Sequence, residues 1–228
     1  MKKVVTPAVM VITLLGVIIW QLFSSTTSYY LVSVAILILS MLPFLISFER
    51  SDKSASELAI LAGITALAVA GRAVFYLVPQ VKPIAAVVAV GGVCLGAKKG
   101  YIIGCFSMFI SNFIFGQGAW TPFQMVGMGL VGLIFAAVFN KIECNRISLC
   151  IVGFLSVFIV YGFIVDTSSV LFLSTDLDVK SALAVYLSGL PFNLTFAAST
   201  AVFLFVFGEQ LVKKINRITI KYGIDNYG

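Results

Sequence analysis

Amide and aromatic side chains are concentrated in residues 112–124, between two strongly apolar runs. Asn112, Gln117 and Gln124 supply hydrogen-bond donors and acceptors, and Trp120 supplies a flat aromatic face. Together these groups indicate the rim of a binding site and not a linker. A tryptophan near a membrane surface also serves as an interfacial anchor, so both interpretations of Trp120 remain open. The neighbouring amides favour a pocket, because anchoring does not require them.

The same stretch contains the residues of a tight turn. Gly116 and Gly118 permit positive φ, and Pro122 suits the first turn of a helix for which Thr121 is the expected N-cap. The spacing predicts two helices that meet at this bend. The amides on either side of it would then line one cavity.

Arg72 lies within an apolar span, about two helical turns before Pro79. An arginine inside a membrane costs several kcal/mol unless it is paired or hydrated. Arg72 either snorkels or bonds backbone carbonyls, or it donates to a polar or anionic group of a substrate. We favour the second role because we assign no acidic residue to any span. Phe75, Tyr76 and Lys82 follow it closely and join the candidate site.

A second polar break is predicted in the last span, where residues 189–193 read Gly-Leu-Pro-Phe-Asn. Pro191 should break the helix and free backbone carbonyls there. Asn193 is therefore a further candidate for binding substrate, unless it bonds across helices. Residues 166–181 are expected to form a long loop that either closes over a ligand or is simply solvated.

The composition excludes a soluble domain and many classes of enzyme. The chain of 228 residues is 61% hydrophobic and 11% charged, whereas roughly a quarter of a soluble domain is charged. It contains no histidine, and we find neither paired carboxylates nor a nucleophile with a base in the spans. We therefore predict an integral membrane protein that is not an enzyme, with no catalytic residues, no metal site and no intrinsic cofactor.

The apolar segments predict an all-α, polytopic membrane helical bundle. Most are near the ~20 residues that cross a bilayer, and they fall at about 7–23, 30–48, 57–78, 83–97, 100–116, 121–140, 147–166 and 182–208. With a cytoplasmic N-terminus, 12 of the 15 basic residues lie in inward loops. The net charge of +6 thus reflects topology and not nucleic-acid binding. The predicted location is the cell membrane, multi-pass, with both termini cytoplasmic.

The polar linker at residues 49–56 divides the chain. Residues 1–55 are predicted to form a two-helix N-terminal membrane extension and cytoplasmic linker, although the first run could also be a secretory signal peptide. Residues 56–228 are predicted to form a six-helix core with a basic tail. The short 83–97 segment must lie deep within the bundle, thin the bilayer or extend into its flanks.

The first core helix carries a stripe of small residues at three- and four-residue spacing: Ala59, Ala62, Gly63, Ala66 and Ala70. Such a stripe lets another helix approach closely. At about 100° per residue, Arg72 lies about 160° away from Ala70 around this helix. The helix can therefore dock a partner with one face while the other looks into the core. Ordinary packing within the bundle is the alternative.

Residues 56–220 resemble the membrane-embedded substrate-binding (S) components of energy-coupling factor (ECF) vitamin transporters. The resemblance lies in six spans, the Ala-rich helix through Gly71-Arg72, Lys82-Pro83, the Gly116–Gln124 turn and the Gly189–Asn193 segment before a basic tail. It implies docking through Ala62, Ala66 and Ala70. It also implies a pocket containing Arg72, Asn112, Gln117, Trp120, Gln124 and Asn193.

The resemblance further implies a vitamin bound at the outer face and delivered inward by toppling. The partners would be a transmembrane coupling protein and two ABC-type ATPases, which consume the ATP. A corrinoid of the cobalamin type is our substrate hypothesis, because the sequence is most similar to that branch. An intramembrane lipid-modifying enzyme and a small-solute facilitator are the alternatives.

Overall fold

The computed structural model describes residues 54–173 and 179–223, together with Ala35 and Ile38. All the secondary structure in these residues is helical. The predicted N-terminal helices at 7–23 and 30–48 lie outside the described residues, apart from those two positions.

Four helices form the first part of the described chain: α1 (Ala55–Val74), α2 (Ile84–Leu95), α3 (Ala97–Phe115) and α4 (Thr121–Phe139). The Ser54 side chain caps α1 by accepting from the Glu57 backbone N–H. Gly96, at φ 87°, separates α2 from α3, and Gly116, at φ 102°, ends α3. These positive φ values explain why glycine occupies both breaks.

Two long helical rods follow, each interrupted by a π-helical segment. The first consists of α5 (Arg146–Leu155), a π segment (Ser156–Tyr161) and α6 (Gly162–Leu173); the second of α7 (Val179–Phe203), a π segment (Leu204–Gly208) and α8 (Glu209–Lys221). Asn145 and Ser148 form a reciprocal capping box that starts α5. The described chain therefore contains six helical rods.

The short helix α2 lies at the centre of the bundle, which is one of the three options that its length left open. Eleven of its 12 residues are buried. Glycines allow its neighbours to pack at backbone distance, since a Cβ at Gly92 or Gly100 would collide with the backbone of Gly132. A helix enclosed in this way does not need to match the thickness of the bilayer.

Four of the described helices are long and apolar enough to cross a membrane: Ala55–Val74, Thr121–Phe139, Arg146–Phe172 and Val179–Lys221. Their outward surfaces expose large apolar side chains, among them Leu67, Phe163, Leu187 and Phe205. Such a surface is suited to lipid contact and not to water. The protein is thus a multi-pass membrane protein.

Three predictions about local structure were wrong. Helix α6 continues to Leu173, so Asp166 lies inside a helix and not in an outward loop. Pro191 lies within the continuous helix α7 and does not break it. The N-cap of α4 is Trp120, while Thr121 is already helical and accepts a hydrogen bond from the Gly118 N–H.

Candidate functional site

A cavity of about 440 Å³ lies where the C-terminal ends of α1 and α3 meet the start of α4 and the rods containing α6 and α7. Its volume falls within the ~300–1,000 Å³ usual for small-molecule sites. Its polar lining consists of Arg72, Gln80, Lys82, Gln124, Tyr161, Asp166, Ser169, Ser188 and Asn193. Its apolar lining includes Ile84, Met108, Phe115, Val165, Phe192 and Phe196.

Arg72 is buried, with 9% of its surface exposed, and is held by helix α3. One guanidinium nitrogen, Nη1, donates to Ser111 Oγ and to Asn112 Oδ1, the latter at 2.8 Å, and lies 3.5 Å from Met108 Sδ. Its other nitrogens have no hydrogen-bond partner among the described residues. The guanidinium is therefore fixed in position and still has donors for a ligand.

A chain of hydrogen bonds orients Asn112, one of the side chains that accept from Arg72. Asn112 Nδ2 donates to Gln124 Oε1 at 2.8 Å and to Thr121 Oγ1 at 3.2 Å, and Thr121 donates in turn to Gln117 Oε1 at 2.9 Å. These bonds leave the Asn112 oxygen facing Arg72. They also occupy the Gln124 oxygen, so the Gln124 amide nitrogen is the part with hydrogen bonds left to make.

Phe115, at the end of α3, lies beside two cations. The Arg72 guanidinium carbon is 4.3 Å and the Lys82 ammonium 4.7 Å from the centroid of its ring. Tyr76 packs against the same ring at 5.0 Å. Cation–π attraction of about 0.5–2 kcal/mol per pair helps to hold both positive groups beside the cavity.

Lys82 joins the α1–α2 connection to the rest of the bundle. Its ammonium donates to the carbonyls of Phe75 and Val78, and its backbone N–H donates to Ser199 on α7. Burial, together with the positive charge of Arg72, lowers the pKa of the Lys82 ammonium. We define Arg72, Lys82 and Gln124 as the donor side of the cavity.

Asp166 and Asn193 face the cavity from α6 and α7. Asn193 Nδ2 donates to Asp166 Oδ2 at 2.7 Å, and Asp166 is 9% exposed. Neither of the two ion pairs in the described residues, Lys99–Glu57 and Arg146–Glu209, involves this carboxylate. Asp166 thus contradicts the expectation that no acidic residue lies within a span.

The structure brings together four of the nine residues predicted to bind substrate. Arg72, Lys82, Gln124 and Asn193 all line the cavity, although they are far apart in sequence. Asn112, 1% exposed, does not line it but lies directly behind Arg72. Its part in the site is to position the arginine.

The other four predicted residues lie away from the cavity lining. Gln117 donates to the Phe109 carbonyl, and Trp120 packs edge-on against Phe172 with 37% of its surface exposed. Phe75 packs against Phe203, while Tyr76 is more than half exposed. The glycine-rich turn therefore supports the site from behind, and only Gln124 reaches from it into the cavity.

Sequence reasoning missed Met108, Phe115, Tyr161 and Asp166. The first three are ordinary constituents of apolar spans, and nothing in their spacing distinguishes them from lipid-facing residues. Tyr161 ends a π-helical segment, a local widening that frequently marks functional sites. Asp166 had a usable signal, namely an acidic residue four positions after Gly162 in an apolar run, but the span was predicted to end there.

All five residues of the predicted docking stripe, Ala59, Ala62, Gly63, Ala66 and Ala70, are exposed within the described part of the chain. A Cβ added at Gly63 would have no atom of the described residues within 4 Å. The opposite face of α1 is buried through Leu61, Ile64 and Ala68. The stripe therefore has space for another helix, while its docking function remains a prediction.

Among the described residues no group of three histidine, cysteine or acidic side chains is placed to hold a metal ion. The lining combines N–H donors on α1 and α4, oxygen acceptors on α6 and α7, and apolar side chains. This combination suits a ligand with an apolar body and polar edges.

One of the comparisons with known proteins finds a match. A family model described as "ECF-type riboflavin transporter, S component" matches residues 52–213, which include every residue that lines the cavity. No curated protein and no solved structure matches the chain.

Proposed function

The chain belongs to the family of S components of ECF-type riboflavin transporters, and from this membership we propose that its cavity binds riboflavin or a close flavin relative for uptake. Members of this family are substrate-binding subunits of transporters and not enzymes, so the alternative of an intramembrane lipid-modifying enzyme is withdrawn. A facilitator, which would move solute without an ATPase, remains an outcome that experiment must exclude.

Arg72 is the observation that carries the proposal. A buried arginine in a membrane bundle marks a functional site by default, because its desolvation must be offset. Here the bonds to Ser111 and Asn112 use only part of its donor capacity. The carbonyl oxygens on the pyrimidine edge of a flavin are suitable acceptors for the rest.

The size of the cavity favours a flavin over a corrinoid. Tyr161, Phe192 and Phe196 offer aromatic surface to a flat tricyclic ring within a space of about 440 Å³. A corrinoid carries a macrocycle, side-chain amides and a nucleotide loop, so it is far larger than a flavin. The corrinoid hypothesis has no support from the family description. Cobalamin therefore serves as a comparison ligand in the test.

We propose that the bound vitamin is delivered by a transmembrane coupling protein and two ABC-type ATPases, and that the ATPases use the ATP. The exposed stripe from Ala59 to Ala70 is the proposed contact with the coupling protein. The predicted two-helix extension of residues 1–55 is proposed to add two spans to the six-helix core.

We further propose that the cavity opens to the outside. The opposite end of the bundle carries the basic residues Lys98, Lys99, Lys141, Arg146, Lys213, Lys214, Arg217 and Lys221. By the positive-inside rule, that end is cytoplasmic. A ligand would then enter from the side where a scarce nutrient must be captured.

An equilibrium titration tests the proposal. Purified full-length protein in detergent, without ATP, is titrated with riboflavin, cobalamin, thiamine and biotin, and quenching of flavin fluorescence or calorimetric heat is recorded. We expect saturable binding of one riboflavin per chain and none of the others. Binding of cobalamin, or of no vitamin in the panel, would reject the flavin assignment.

A further inference from the structure

Two glycines lie where α6 and α7 pack together. The Asp166 side chain of α6 lies against Gly189 of α7, and the Asn193 side chain of α7 lies against Gly162 of α6. A Cβ added at Gly189 on α7 would lie 2.5 Å from Asp166 Oδ1, and one added at Gly162 on α6 would lie 2.9 Å from Asn193 Cγ. Each polar side chain stands four residues after the glycine on its own helix. The carboxylate and the amide therefore rest in spaces that only glycine leaves open.

The pair is only partly satisfied by its mutual hydrogen bond. That bond uses Asp166 Oδ2 and the Asn193 nitrogen. Asp166 Oδ1 and the Asn193 amide oxygen have no hydrogen-bond partner within residues 54–173 and 179–223. Both residues line the cavity, so two acceptor oxygens remain to be matched there.

Two serine hydroxyls extend this group. Ser169 on α6 and Ser188 on α7 line the same cavity. The Ser169 hydroxyl donates to the Val165 carbonyl at 3.3 Å, and the Ser188 hydroxyl donates to the Val185 carbonyl at 2.8 Å. Their oxygens are thereby left as acceptors. We define Asp166, Asn193, Ser169 and Ser188 as the acceptor side of the cavity.

The two sides differ in hydrogen-bond polarity. The donor side presents N–H groups of Arg72 and Gln124, whereas the acceptor side presents oxygens. The charge of Asp166 is not neutralised by an ion pair in the described part of the protein. A ligand that fits must carry acceptors at one end and several neutral donors, such as hydroxyls, at the other.

We infer that the acceptor side, centred on Asp166, binds the hydroxyl groups of a polyol chain and thereby sets the substrate specificity of the cavity. The inference rests on the proposed function, since it assigns the ribityl chain of a flavin to α6 and α7 and the carbonyl-bearing ring to Arg72 and Gln124. It also predicts that a phosphate ester on the chain is rejected. Its negative charge would approach the Asp166 carboxylate in a medium of low dielectric constant.

Three ligands with the same fused tricyclic skeleton, isoalloxazine in the two flavins and alloxazine in lumichrome, separate the contribution of the polyol chain from that of the ring. Riboflavin has the polyol chain, lumichrome lacks it, and flavin mononucleotide carries it with a terminal phosphate. Each is titrated against the purified full-length protein and its Asp166→Asn variant, with Glu209→Gln at the opposite end of the bundle as the matched control. Thermal unfolding of each variant is followed in parallel.

We expect the unmodified protein to bind riboflavin more tightly than either of the other two ligands. Asp166→Asn should weaken riboflavin binding about 10- to 100-fold, the range for a hydrogen bond to a charged group. It should leave lumichrome binding unchanged and bring flavin mononucleotide closer to riboflavin. Glu209→Gln should change none of the three affinities.

A second variant covers the case in which Asp166→Asn does not fold. Ser188→Ala removes an acceptor from an exposed position and should weaken riboflavin about 3- to 10-fold, again without affecting lumichrome. If either variant loses affinity for riboflavin and for lumichrome to the same extent, the inference is overturned while the proposed function stands. If the unmodified protein binds neither ligand, the proposed function fails and the inference fails with it.

Discussion

The Arg72 guanidinium lies inside a membrane-spanning bundle and donates to Ser111 and Asn112, and no acidic residue of the described chain lies within ion-pair distance of it. Its remaining donors lie at a cavity that Asp166 and Asn193 also line. Arg72 and Asp166 line this cavity without an ion pair among the described residues, so each charge is incompletely paired. A bound molecule with matching polar ends would complete both sets of hydrogen bonds.

Replacing Arg72 by Gln should weaken riboflavin binding about 10- to 100-fold, because a hydrogen bond to a charged group contributes about 1.5–3 kcal/mol. The affinity is measured by fluorescence titration, with thermal unfolding as the test of folding. Arg146→Gln is the control, since Arg146 forms an exposed ion pair with Glu209 away from the cavity. Unchanged affinity in Arg72→Gln would assign the arginine a purely structural role.

Individual site residues could be predicted where their polarity contrasts with an apolar span. Arg72, Gln124 and Asn193 stand out in this way, and each lines the cavity. Phe115 and Tyr161 could not be found by that criterion, because aromatic residues are normal in a membrane helix. Their importance follows from cation–π and edge-to-face contacts that form only in the folded chain.

At the scale of helices, the contact between α6 and α7 depends on two glycines. Gly189 and Gly162 let the Asp166 and Asn193 side chains lie against the opposite helix. Thr167 and Tyr186 add a hydrogen bond of 2.7 Å between the same helices. The acceptor side is therefore part of the helix packing and not of a mobile loop.

Gly189→Ala should lower the midpoint of thermal unfolding and weaken riboflavin binding. The added Cβ would collide with Asp166, and overpacking of this kind costs about 1–3 kcal/mol. Gly63→Ala is the matched control, because a Cβ there meets no atom within 4 Å in the part of the chain that the structure describes, and alanine favours helix. If both variants behave alike, the close approach of α6 and α7 is not important for the site.

The helices themselves were largely predictable from apolar runs and breaker residues, but their ends were not. Hydropathy marks where a chain leaves the bilayer, whereas a helix ends where its backbone hydrogen bonds end. Helix α6 continues beyond Asp166 because that residue has a polar partner in Asn193. Helix α7 continues through Pro191 although a proline has no N–H to donate to the carbonyl of Leu187, four residues earlier.

At the scale of the whole molecule, the exposed stripe and the cavity are on different faces of α1. Arg72 reaches the cavity, whereas Ala59, Ala62, Ala66 and Ala70 face away from the described bundle. Such a division allows the protein to hold its substrate and contact a partner at once. The spacing of small residues predicted this arrangement, but it does not reveal what the partner is.

Ala66→Trp should leave riboflavin binding by the purified protein unchanged and abolish flavin uptake by cells, because the indole would hold another helix away from the stripe. Uptake of labelled riboflavin and co-purification of the ATPase subunits are the measurements. Leu194→Trp, at an exposed apolar position on α7, serves as the control. Normal uptake in Ala66→Trp would exclude this stripe as the docking surface.

The proposed orientation predicts that Cys144 is reached only from the cytoplasm. Cys144 is exposed in the connection between α4 and α5, while Cys94 and Cys105 are buried. Partial burial and the Glu209 carboxylate raise the pKa of the Cys144 thiol, so labelling is done at mildly alkaline pH. A membrane-impermeant maleimide should label inverted vesicles but not intact cells, and Cys144→Ser should remove the signal. Labelling of intact cells would place this end of the bundle outside.

Native mass spectrometry of the protein purified from its own host tests the central claim most directly. The chain is released from detergent micelles in the spectrometer, and the mass of any bound small molecule is read from the difference between the bound and free species. We predict one riboflavin-sized flavin per chain, which is lost in Arg72→Gln and retained in Arg146→Gln. Protein that carries only lipid, or a ligand that is not a flavin, would contradict the assignment of the cavity as a flavin site.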